Sequence, residues 1–114
     1  MKRIAVLLML LFFVLITTFA YAHPPSDIII TYDKATKMLK AVIMHNVSNT
    51  RNHYIKKVDV VLNGKEIIEH QISRQDNNEN QTVIYLIPDV NPGDTLSVEA
   101  HCSISGVFKK GDKN

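Results

Sequence analysis

Asn63-Gly64, set between two runs that alternate apolar and polar residues, commits this chain to antiparallel β structure. Both residues tolerate positive φ, as a type I′ turn requires, so the run 54–62 must fold back on the run 65–72. Within the first run Val58, Val60 and Leu62 fall on one face and Lys57 and Asp59 on the other, the period of two of a half-buried strand. The same pattern predicts strands over 27–32 and 38–44, with a polar turn at 33–37 between them. Further strands are expected over 82–87 and 95–102, separated by Pro88 and the Asn91-Pro92-Gly93-Asp94 turn. After the break at Gly106 a short seventh strand covers 107–109, and 110–114 read as a frayed polar tail. Residues 73–80 are polar, lack an apolar period and read as a surface loop. About seven short strands, with no helical period and no repeat, predict an all-β, antiparallel β-sandwich.

Ahead of these strands Lys2 and Arg3 precede an apolar run, 4–19, that ends in Ala20-Tyr21-Ala22. That is the pattern of a secretory signal, which puts the protein in the periplasm or outside the cell. The run is also close to the minimum for spanning a bilayer, so an uncleaved anchor is the alternative and the one expected route to a membrane. The expected organisation is a signal peptide over 1–22 and one sandwich domain over 23–114. Of 13 basic residues two lie in the signal, leaving 11 against 11 acidic ones. A formally neutral domain lacks the basic footprint of a nucleic-acid binder. No paired-carboxylate motif, nucleophile elbow or glycine-rich phosphate loop is present either.

Cys102 is the single cysteine, so no internal disulfide can staple this small domain. It ends the alternating series Leu96, Val98, Ala100, Cys102, which points it inward. A lone thiol in an oxidising compartment calls for burial, an intermolecular disulfide or a metal. Three histidines point to the metal: His23 would be first after signal cleavage, His45 closes the second strand and His53 opens the third. Imidazoles with one thiolate suit a mid-row transition ion, and residue types alone do not choose among iron, copper and zinc. An N-terminal His23 could also chelate copper through amine and ring, with His45 or His53 completing the site. The metal-free reading makes Cys102 a small buried hydrophobe, His53 a partner of a loop carbonyl, and the sandwich an interaction module. His70 and His101 read as ordinary sheet residues, since alternation sends His101 to the face opposite Cys102.

In pieces, nearly all of 23–114 resembles the iron-binding domain of superoxide reductases, the desulfoferrodoxin and neelaredoxin family. His53-Tyr54-Ile55 resembles that family's strand-opening His-Tyr-Ile, and His45-Asn46-Val47 stands where the family has His-Pro-Met. His23-Pro24-Pro25 resembles its early His-x-Pro, and Cys102-Ser103-Ile104-Ser105-Gly106 its Cys-Asn-x-His-Gly. The resemblance implies an immunoglobulin-like sandwich with ferrous iron at one end, equatorial imidazoles, an axial thiolate and an open sixth position. There, superoxide would take one electron from iron and two protons and leave as hydrogen peroxide, with an unidentified donor restoring the iron. On this reading the metal ligands are His23, His45, His53 and Cys102. The family's fourth histidine falls on Ser105, a poor ligand for ferrous iron, so reduced or absent catalysis is expected. The Glu-Lys pair that precedes the family's first histidine is replaced by Tyr21 and Ala22. Self-association into a homo-oligomer stays open.

Overall fold

In the computed structural model Asn63 and Gly64 have φ of 50° and 82°, the turn conformation the sequence demands. The structure describes residues 23–113; the expected signal segment, 1–22, lies outside the described residues, as does Asn114. Seven strands follow in chain order: β1 (Asp27–Asp33), β2 (Met38–Met44), β3 (Ile55–Leu62), β4 (Lys65–Gln71), β5 (Asn80–Leu86), β6 (Thr95–Cys102) and β7 (Val107–Lys113). They form two antiparallel sheets, ordered β1-β2-β5 and β4-β3-β6-β7, in the arrangement of an immunoglobulin-like sandwich.

The sandwich closes on the residues that alternation selects. Ile28, Leu39, Ala41, Ile43 and Val83 from one sheet meet Val58, Val60, Leu96, Val98 and Ala100 from the other, all buried. At β3 the parity changes: Ile55 and Val58, three apart, are both fully buried. A bulge between Ile55 and Lys57 in the pairing with β6 absorbs the extra residue and keeps Ile55 opposite Cys102. Between the sheet edges the Tyr85 hydroxyl meets Nδ1 of His70 at 2.8 Å.

One sequence expectation is corrected. Residues 110–113 are not a frayed tail, because β7 pairs with β6 as far as Thr95 opposite Lys113. The partner strand supplies the backbone hydrogen bonds, so an apolar period is not needed to hold a polar edge strand. Lys110 also ties β7 to β1 through Asp27 at 3.0 Å. Asp59, placed by alternation on the face opposite Val58 and Val60, is only 4% exposed. It does point away from the core, but Lys57 and His101 close over it.

Candidate metal centre

His45 directly follows β2 and is 1% exposed, with its backbone N–H donated to the Glu79 carbonyl at 2.9 Å. The buried side chain of Gln75 determines which of its ring nitrogens is free. Gln75 Nε2 donates to two carbonyls, those of His45 at 2.7 Å and Asn77 at 2.9 Å. The amide oxygen must therefore face the ring, where it lies 2.8 Å from Nδ1 of His45. An amide oxygen only accepts, so Nδ1 carries a proton, and in the neutral ring it is Nε2 that presents the lone pair. This is the arrangement by which an outer hydrogen bond orients a metal-binding histidine. Nε2 stands 3.3 Å from the His23 carbonyl oxygen, on the side of the ring that faces the His23 segment.

The loop 73–80 therefore has structure and purpose. Gln75 N–H donates to the Thr50 carbonyl at 3.0 Å, and Val47 N–H to that of Asn78 at 2.8 Å. The Asn77 carboxamide oxygen accepts from the backbone of Glu79 and Asn80, while Asp76 accepts from Thr82 N–H. Local side-chain bonds of this kind stiffen a polar segment without a hydrophobic anchor.

His53 is placed from both sides. Its backbone N–H donates to the Asn49 carbonyl at 3.0 Å, closing the turn after β2. The next residue, Tyr54, is locked to the end of β6: its N–H donates to Ser103 Oγ at 3.0 Å and its carbonyl accepts from Ser103 N–H at 2.8 Å. With the bulge at the start of β3, these bonds bring Nε2 of His53 to 3.1 Å from the buried Cys102 sulfur. Burial first, then the charges of His45 and His23, push the His53 imidazole below its ordinary pKa. A neutral ring keeps a lone pair for a metal at neutral pH.

His23 reaches the same place through the segment that leads into β1. Pro25 is buried, and Ser26 N–H donates to the Met44 carbonyl at 2.8 Å. Gly106 fixes the other side: its φ is +97°, and a Cβ there would lie 2.8–2.9 Å from three atoms of Pro24. Only a residue without a side chain lets the Cys102 loop and the His23 segment approach this closely. The His23 ring turns Nδ1 toward the Pro24 carbonyl at 3.1 Å, which leaves Nε2 for other partners.

The three rings thus converge, with centroids 4.9, 4.9 and 4.7 Å apart. One ring nitrogen from each of His23, His45 and His53 lies within 4.8 Å of the others, a group that could hold a metal ion. Cys102 is not part of that three-histidine group, but its sulfur lies against one member, His53. The His53–Cys102 separation of 3.1 Å is a hydrogen-bond distance, and it sets an imidazole and a sulfur, two donors that a transition ion accepts, side by side. A cleft lined by His23, Asn46, Val47, Ser48 and His53 opens the cluster to solvent. Ser105 is exposed on the loop after Cys102. His101 lies on the opposite face, 2.9 Å from Asp59, and His70 is at the sheet edge, so neither joins the group.

No protein-family model matches the chain, and no curated protein matches it by sequence. A solved structure is similar in fold: that of the hypothetical protein PH1083 from Pyrococcus horikoshii OT3, with a TM-score of 0.53 and 12% identity. The match covers 84% of this chain and 92% of that one, a likeness of fold.

Gln75 and Ser103 are site-building residues that the sequence pattern missed, and Gly106 was read without its contact to Pro24. Glycine after Cys-x-x-x was legible as a strand break, but its contact with Pro24 depends on a segment 82 positions away in the chain, from 24 to 106. A glutamine within a polar run carries no signal in periodicity at all.

Proposed function

We propose that this chain is an exported, superoxide-reductase-like iron protein, with ferrous iron held by His23, His45, His53 and Cys102. The observation that carries the reading is the 3.1 Å approach of the Cys102 sulfur to Nε2 of His53, within a group of three histidines drawn from separate loops. Zinc and copper also accept such donors, and the motif resemblance around His53 and Cys102 is what favours iron. When bound, ferrous iron would supply one electron to superoxide, which takes up two protons and leaves as hydrogen peroxide, and an external donor would replace the electron.

The chain's own residues do the positioning. Gln75 sets the tautomer of His45 and turns Nε2 toward the cluster. The buried position of Cys102 restricts the thiolate to one solvent-poor side, while the cleft beside His23 and His53 admits a small anion. With Ser105 in place of a fourth imidazole, the ligand sphere is one nitrogen short, and superoxide reduction is weak.

The test uses protein produced from the full-length sequence. Ferrous iron is expected to bind at one equivalent, and Ser105→His to raise superoxide consumption on the order of 10-fold or more, the scale on which changes around a metal act. Copper or zinc bound in strong preference to iron would overturn the iron assignment. One equivalent of iron bound with no gain from Ser105→His would count against a site competent for this chemistry.

A further inference from the structure

The outer face of the four-stranded sheet carries a second cluster of ligating side chains, separate from the histidine–cysteine group. Strand register sets Glu69 of β4, Asp59 of β3 and Glu99 of β6 side by side in one row, with Lys109 of β7 at its end. Like charges directly opposed across a sheet are destabilising, and here the central carboxylate is also the buried one. A bulge adds a fourth acid. Glu66 and Glu69 are three apart and would face opposite ways on a regular strand, but the shift between Val60 and Val61 brings Glu66 to the side of Asp59. His101, two residues after Glu99, completes the face.

Ligand atoms of Asp59, Glu99 and His101 lie within 4.8 Å of one another, as do those of Asp59, Glu66 and Glu69. Asp59 is common to both groups. Its Oδ2 lies 2.9 Å from His101 Nε2 and 3.5 Å from Lys57 Nζ. Its Oδ1 is buried without a partner, although the Asp59 side chain is only 6% exposed. Lys57 and His101 serve only Oδ2, so the buried Oδ1 still carries the cost of an unmade interaction. The neighbouring Glu66 carboxyl is held above its ordinary pKa, first by hydrogen bonding to Asp59 and then by the Asp59 charge.

We propose that Asp59 is the central ligand of a second, divalent-cation site, completed by His101 and by carboxylates among Glu66, Glu69 and Glu99. Several carboxylate oxygens with one imidazole make a harder donor set than the histidine–cysteine group, and suit a manganese-class ion. Such an ion would clamp β4, β3 and β6 together across their outer face. This inference stands independently of the iron reading.

Mn2+ itself is the probe, with binding followed by electron paramagnetic resonance and by thermal melting of protein from the full-length sequence. Mn2+ is expected to raise the melting temperature of the wild type and of Cys102→Ala alike. Asp59→Asn, which removes like-charge repulsion and keeps an acceptor for His101, should fold and bind Mn2+ at least about 10-fold more weakly. Glu69→Gln, at an exposed position, should weaken binding without affecting folding. Wild-type protein without a Mn2+ response, or an Asp59→Asn response equal to that of the wild type, would overturn the site. A response lost in Cys102→Ala and kept in Asp59→Asn would also overturn it, placing Mn2+ in the histidine–cysteine group.

Discussion

Replacing Gln75 by leucine is expected to destabilise the fold by about 2–5 kcal/mol and to weaken metal binding about 10–100-fold. The variant loses the amide that accepts from His45 Nδ1 and donates to the carbonyls of His45 and Asn77. Gln75 is 1% exposed and His45 is 1% exposed, so water has little access to replace those bonds. Leucine fills a similar volume, which makes unsatisfied polar groups the main cost. Two readouts separate the effects: denaturant unfolding reports the buried groups, and metal titration below the unfolding range reports the freed His45 ring. Unchanged metal affinity in a destabilised variant would mean that Gln75 supports only the loop and does not orient the ligand.

The second large effect is expected at Gly106. Alanine there must adopt φ near +97° and place its Cβ 2.8–2.9 Å from the backbone and ring of Pro24. The left-handed conformation alone costs on the order of 1 kcal/mol or more, and the Pro24 atoms cannot swing aside as a flexible side chain would. A total of about 2–3 kcal/mol corresponds to a fall of roughly 10–20 °C in Tm for a domain of this size. Gly64→Ala is the control, because Gly64 also has positive φ, at +82°, yet a Cβ there meets nothing within 4 Å. That variant should lose only the conformational part and keep full metal affinity. Gly106→Ala should lose affinity as well, because relieving the clash moves the segment that carries His23. Equal effects of the two variants on metal binding would remove Gly106 from the account of the site.

The fold was largely legible because its determinants are local. Asn63-Gly64 has to turn, and the strands around it alternate, so the core could be identified without knowing the pairing. Legibility ended where tertiary partners override local pattern. Residues 110–113 look like a tail because their order comes from hydrogen bonds to β6, which no periodicity in the segment records. The bulge at the start of β3 did leave a trace. Ile55 and Val58 break the period of two, and a change of parity between two apolar residues in one strand is the mark of an inserted residue.

Three of the four residues named from the sequence as ligands, His23, His45 and His53, come together as a group, and the Cys102 sulfur lies beside His53. Their residue types and motif contexts could be seen in advance, whereas the shell that holds them could not. Gln75 acts from a loop distant from the motifs, and Ser103 secures Tyr54 through a hydroxyl that has no distinguishing neighbour pattern. Asp59 taught the converse lesson, since alternation gave its face correctly but not its burial under His101 and Lys57.

The most direct measurement of the central claim is the visible absorption of iron-loaded, oxidised protein, compared between the wild type and Cys102→Ala. A thiolate bound to ferric iron gives a charge-transfer band, so the wild type should be coloured and the alanine variant should lose the band while remaining folded. Iron-loaded wild type without such a band, or a band that survives in Cys102→Ala, would contradict a centre built from these histidines and this cysteine.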